Sequence, residues 1–380
     1  MAAGLCLAIF LPFLYAFFVP FFYKYLNRVH TGWFVLPVPV ALFLYLLSFL
    51  WTAESPVFLS LSWIPSLEIN LTLYPDGLAM LFGLLVSGIG ALVVLYSVYY
   101  LSKEREQLHN FYVYLLLFMG AMLGLVFSDN IIVFYLFWEL TSISSFLLIG
   151  FWYQRRRSRY GAQKALLLTV FGGFCLLAGL LVLANITGTF SIREMIIQAE
   201  TIKGHPLFVP ALVLILLGAF SKSAQFPFYI WLPDAMEAPT PISAYLHSAT
   251  MVKAGIYLIA RFTPVFGGSG EWFWLVAGTG LLTLFWGSFS AVRQTDLKAM
   301  LAYSTVSQLG MITCLLGLGS AALYFGPGEA AMPYVTALLA GVFHLVNHSV
   351  FKCCLFMVVG IIDHETGTRD VRKLGGLIGV

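Results

Sequence analysis

Residues 219–255 read AFSKSAQFPFYIWLPDAMEAPTPISAYLHSATMVKAG. Two apolar runs meet in this stretch, with Lys222 inside the first and His247 and Lys253 inside the second. Pro227, Pro233, Pro239 and Pro241 stand between them. Proline lacks a backbone donor and clashes with the preceding turn, so a helix here must kink or stop. In lipid the freed carbonyls survive only against protein or a water-filled cavity. A lysine just before such a break predicts a polar interior within a membrane domain, the arrangement in which transporters place ions on broken helices.

Composition agrees. Of 380 residues, 60% are hydrophobic and 10% charged, with a mean hydropathy of +0.91. So few charges could not cover a soluble surface, and the apolar runs have the roughly twenty residues that cross a hydrocarbon core of about 30 Å. The expected fold is an all-α polytopic membrane bundle. Spans are predicted at 3–22, 33–51, 75–100, 110–128, 130–153, 163–186, 207–229, 240–262, 271–290, 299–318 and 334–361, with the first interrupted helix near 222–234. A twelfth run, GGLIGV (375–380), is only beginning where the sequence stops, which predicts a portion of a longer domain. The net charge of +3 gives no reason to expect nucleic acid. Cys6, Cys175, Cys314, Cys353 and Cys354 are scattered without ligand spacing, and no dinucleotide motif occurs, so neither a metal nor another cofactor is expected.

Lysine and arginine set the orientation, because cytoplasmic loops retain them. With the N-terminus outside, inward loops hold Lys24, Arg28, Lys103, Arg105, Arg155, Arg156, Arg157, Arg159, Lys164, Arg293, Lys298, Arg369, Arg372 and Lys373. Outward segments hold Arg193, Lys203 and Arg261. The outward stretch 187–206 has helical spacing of Ile192, Met195, Ile196 and Ala199 and predicts a short helix lying at the interface.

Glu139, Lys222, Lys253 and Lys352 fall well inside spans. A charge at a span centre costs about 2.5–3.5 kcal/mol on the insertion scale, so such residues face one another or water and mark ion or proton paths. Glu139 is expected to partner Lys222, since a nearby carboxylate controls whether a buried amine keeps its proton. In HLVNHSVFKCC, His344, His348 and Lys352 recur at i, i+4, i+8 and share a helix face. Zinc would need a third ligand that is missing, whereas imidazoles that titrate near neutrality suit a proton-hopping row. His247 reads equally as a proton carrier or as a donor to carbonyls freed by the prolines. Asp296 reads as a helix cap.

WELTSISSFLLIGFW, the 219–255 stretch, QTDLKAMLAYSTVSQLG and FHLVNHSVFK resemble the antiporter-like membrane subunits of respiratory complex I and their relatives. The similarity is closest to the A-type subunits of Mrp Na+/H+ antiporters and covers about residue 70 onward, as an N-terminal portion. It implies paired five-helix inverted repeats: helices 1–3 over 1–109, a first repeat over 110–262 and an incomplete second over 263–380. It further implies that Glu139 is the pairing carboxylate and Lys222 the broken-helix lysine, with Lys253, His344, His348 and Lys352 as central links. The expected role is a transporter subunit, not an enzyme, in a bacterial cell membrane, exchanging H+ for Na+ beside other subunits of its complex, with the Na+ site unassigned. Two other readings stay open: a proton-pumping subunit of a redox complex, and a scaffold whose buried charges only hold partners together.

Overall fold

The computed structural model describes residues 2–26, 28–52, 59–67, 69–104 and 106–375. Arg105 and the terminal run 376–380 lie outside the described residues. Helix α1 (Ala2–Tyr25) is followed by α2 (Gly32–Val35) and α3 (Pro37–Thr52), which Pro37 separates, and by α4 (Gly77–Tyr100), α5 (Leu108–Phe127) and α6 (Ile131–Ile149). Then come α7 (Arg156–Thr187), the short α8 (Ile192–Ile197) and α9 (Ala199–Lys203), and α10 (Phe208–Lys222). The remainder is α11 (Thr240–Ser248), α12 (Met251–Phe266), α13 (Gly270–Val292), α14 (Leu297–Ser320), α15 (Ala322–Phe325) and α16 (Met332–Thr366). Among the described residues nine helices are long and apolar enough to cross a membrane. Apolar side chains such as Phe17, Leu167 and Phe343 point outward, as a lipid-facing surface requires.

The expectation of eleven spans differs from this in an informative way. Segments 207–229 and 240–262 are not continuous helices: α10 stops at Lys222, and a second break separates α11 from α12. Asn130 and Asp296 cap α6 and α14 by accepting from Val133 N and Ala299 N, so Asp296 does the structural job its position suggests. The stretch expected to hold one short helix forms two, α8 and α9, with Ile192, Met195 and Ile202 turned inward. One element had no counterpart in the sequence reading. Strands β1 (Leu59–Ile64) and β2 (Ile69–Leu73) form an antiparallel hairpin. It joins the end of the bundle where Leu73 bridges Ser128 and Asn130 bridges Ser191.

Helices α13 and α14 meet backbone to backbone at Gly280, Gly287, Gly310 and Gly317. An added Cβ at Gly310 would lie 2.7 Å from Gly280 O and 2.9 Å from the Thr283 carbonyl carbon. Gly310→Val should therefore force the helices apart and cost about 1–3 kcal/mol, read as a lowered thermal midpoint of the purified protein.

Candidate functional site: buried amines at two helix breaks

At the first break, Ala224 adopts a left-handed φ of 51° and turns the chain out of α10. The freed carbonyls find donors: Gln225 N bonds Phe220 O at 3.0 Å, and the Trp231 indole bonds Ser221 O at 3.0 Å. Lys222, fully buried, is left at the helix end with its side chain crossing to α6. Its amine donates to Trp138 O at 2.7 Å and Ser142 Oγ at 2.9 Å and sits 4.5 Å from the Trp138 ring centre.

The second break has another cause. Ser248 and Thr250 offer hydroxyls that compete with backbone donors. Ser248 Oγ bonds Ala244 O, and Thr250 Oγ1 bonds Tyr245 O at 2.8 Å. One turn later Gly255 lets α12 approach α10, where an added Cβ would overlap Ala219 O. Lys253 is fully buried and reaches α16, donating to Leu345 O at 2.7 Å and to Ser349 Oγ.

On α16 the predicted row is present. The His344 and His348 rings lie 6.4 Å apart, and His344 Nε2 contacts Gln308 Oε1 at 2.6 Å. Lys352 donates to Ser304 Oγ at 2.7 Å and, more weakly, to Leu301 O at 3.4 Å. His348 is fully buried, feels the charges of Lys253, Lys352 and His344, and among the described residues has no hydrogen-bond partner at either ring nitrogen. His247 likewise has both nitrogens buried and unpartnered, its ring between Trp231 (6.2 Å) and Phe356 (6.4 Å). Among the described residues it bonds none of the carbonyls freed by the prolines, and the carbonyls at the second break are taken by Ser248 and Thr250. A buried, unpartnered imidazole calls for a functional or water-mediated explanation.

Two placements depart from the sequence reading. Glu139 and Lys222 interact electrostatically, yet the ion pairs among the described residues do not include them. The Ser142 hydroxyl accepts from Lys222 and also interacts with the Glu139 carboxyl, so it stands as intermediary. Arg261 is not a loop residue: it is buried in α12 and paired with Asp76. Sequence reasoning also missed Lys298, placed at a helix start but only 2% exposed. Its amine donates to Ala238 O at 3.0 Å, and its charge is felt at His247. Only the hydroxyl- and amide-rich run STVSQ beside it hinted at a polar face, and that run supplies Ser304 and Gln308. Among the described residues no three His, Cys, Asp or Glu side chains group as a metal site would require.

A polytopic helical bundle whose interrupted helices bring buried amines and imidazoles to its centre defines an antiporter-like membrane subunit. The chain belongs to the family described as NADH:quinone oxidoreductase/Mrp antiporter, TM, which matches residues 128–380. The family described as NADH-Ubiquinone oxidoreductase (complex I), chain 5 N-terminus matches residues 62–112. The chain is similar to the A-type subunit of the Na(+)/H(+) antiporter of Bacillus subtilis, 65% identical over 376 residues, covering 98% of this chain and 47% of the relative. The corresponding Na(+)/H(+) antiporter subunit of Alkalihalophilus pseudofirmus is 62% identical over 371 residues, covering 97% and 46%. The chain thus spans about half the length of these relatives. Among solved structures, a chain of the Mrp complex from Dietzia sp. DQ12-45-1b superposes with a TM-score of 0.86 at 38% identity, covering 96% of this chain and 38% of that one. A chain of the membrane-bound sulfane sulfur reductase, an archaeal respiratory membrane complex, gives 0.83 at 26% identity, covering 98% and 74%.

Proposed function

We propose that the chain is part of an A-type subunit of a multi-subunit Na+/H+ antiporter in a bacterial cell membrane, N-terminus outside, and that it carries protons along its buried polar axis. Its partners would be the other subunits of that complex, its ions H+ and Na+. The orientation rests on the lysine and arginine bias, and the ions on the names of the similar proteins. Residues 110–262 would form the first repeat and 263–380 the beginning of the second.

One observation carries the reading. Lys222, Lys253 and Lys352 are buried amines whose bonds all go to neutral oxygens: backbone carbonyls and the hydroxyls of Ser142, Ser349 and Ser304. An amine clamped to a carboxylate is held as a cation. One bonded to neutral oxygens can release its proton, because a hydroxyl can turn from acceptor to donor. The imidazole of His348, between Lys253 and Lys352, can relay that proton. Glu139 would set the charge state of Lys222 through Ser142, and His247 would continue the row toward Lys298.

Lys352→Ala in the full-length chain, assembled with its complex in everted vesicles, should cut the Na+-dependent pH change by about a hundredfold, the range removed with a proton-transfer group. Unchanged antiport at normal complex levels would leave only the scaffold role. The likeness to the sulfane sulfur reductase chain favours a second reading, a redox-driven proton pump. Neighbouring genes for iron–sulfur and quinone-site subunits would support that one instead.

A further inference from the structure

The Glu139 carboxylate rests against a bare stretch of α7. Its Oε1 is buried and has no hydrogen-bond partner among the described residues. The surface it meets is Gly173, where an added Cβ would overlap Oε1 and lie 3.1 Å from the Glu139 carboxyl carbon. The preceding residue does the same for the lysine-bearing helix: a Cβ at Gly172 would overlap Ser221 Oγ, next to Lys222. Adjacent positions on α7 therefore abut Glu139 itself, from α6, and Ser221, the neighbour of Lys222 on α10.

We propose that Gly173 is a positioning residue: its missing side chain seats the Glu139 carboxylate and fixes its separation from Lys222. The proposal rests on the reading that Glu139 acts on Lys222. Packing alone explains α7 glycines elsewhere. At Gly179 a Cβ would meet Ile215 Cγ1 at 2.8 Å and Ala211 O at 3.1 Å, neither of them ionisable. The titratable groups acting on Glu139 are Lys222 from α10 and Tyr135 from α6, with Ser142 beside the carboxyl, and Gly173 of α7 meets the carboxyl itself. A change at Gly173 thus meets the carboxylate first, with the Trp138 indole nitrogen at ordinary contact distance, 3.6 Å, from the added Cβ.

The test uses the full-length chain in its complete complex, in everted vesicles, with Na+-dependent antiport measured across pH. Gly173→Ala should lower activity about tenfold and displace the pH optimum by roughly one unit, the shift matching a tenfold change in coupling. Gly179→Ala should leave the optimum in place. The decisive variant is Gly173→Ala combined with Glu139→Asp. The shorter acid makes room for the added methyl, so the pair should be no worse than Glu139→Asp alone, a non-additivity expected of groups in contact. If Gly173→Ala alone fails to assemble, the double variant should recover assembly. A wild-type pH profile in Gly173→Ala, an equal displacement in Gly179→Ala, or additive losses in the double variant would each overturn the proposal. Glu139→Gln separates the two levels: full activity there defeats the carboxylate's role itself, whereas lost activity there beside a wild-type Gly173→Ala defeats only the positioning role.

Discussion

Lys222→Ala abolishes Na+-driven proton movement in vesicles while the complex still assembles: that is the expected result, a fall of about a hundredfold or more. Two features make the effect large. The amine is fully buried at the end of α10, and its bonds to Trp138 O and Ser142 Oγ join the broken helix to α6. Removing it would delete the proposed proton carrier and the group through which Ser142 connects Glu139 to the break. The helix end keeps its own supports, Gln225 N on Phe220 O and the Trp231 indole on Ser221 O, so folding should survive. Lys222→Arg separates charge from titration. A guanidinium keeps the positive charge but cannot give up its proton in a protein, so it should be nearly as inactive as alanine. An active arginine variant would mean that the site needs only a fixed charge.

The second large effect concerns stability. Arg261 donates from Nη1 and Nη2 to the two Asp76 oxygens and from Nε to Tyr257 Oη at 3.0 Å, and Tyr257 donates to Val126 O at 2.7 Å. The network ties α12, which carries Lys253, to the start of α4 and the end of α5. Arg261→Ala strands a half-buried carboxylate, and breaking one side of a buried pair costs about 3–5 kcal/mol. The lower end fits here because the Asp76 side chain is 26% exposed. Assembled complex should be scarce and its thermal midpoint clearly lowered; a normal midpoint would refute the stabilising role. Asp76→Asn should cost less, since an amide oxygen still accepts from Ala79 N.

The same pair sets a direction with pH. Burial raises the Asp76 carboxyl, but hydrogen bonds and charge from Arg261 outweigh it and hold the group below the ordinary carboxylate range. A carboxylate lowered on folding contributes fully above its unfolded value and loses that contribution as pH falls through its native value. Stability from this pair should therefore be flat from neutral to alkaline pH and decline only in acid.

The sequence by itself determined the membrane bundle, the break after Lys222 and four ionisable groups within spans, Glu139, Lys222, Lys253 and Lys352. Those follow from local properties: the length of apolar runs, the geometry of proline, the cost of a charge in hydrocarbon. It also placed His344, His348 and Lys352 on one face, because helical period needs no tertiary information. Tertiary structure alone decided what each group touches. Lys222 and Trp138 are 84 positions apart, Lys253 and Leu345 92, Lys298 and Ala238 60. Nothing local to either residue encodes such pairings. The same reason hid the burial of Arg261, the second break at residues 249–250, and the seat of Glu139 on Gly173, for a helix end reads as solvent or interior only once its neighbours are in place.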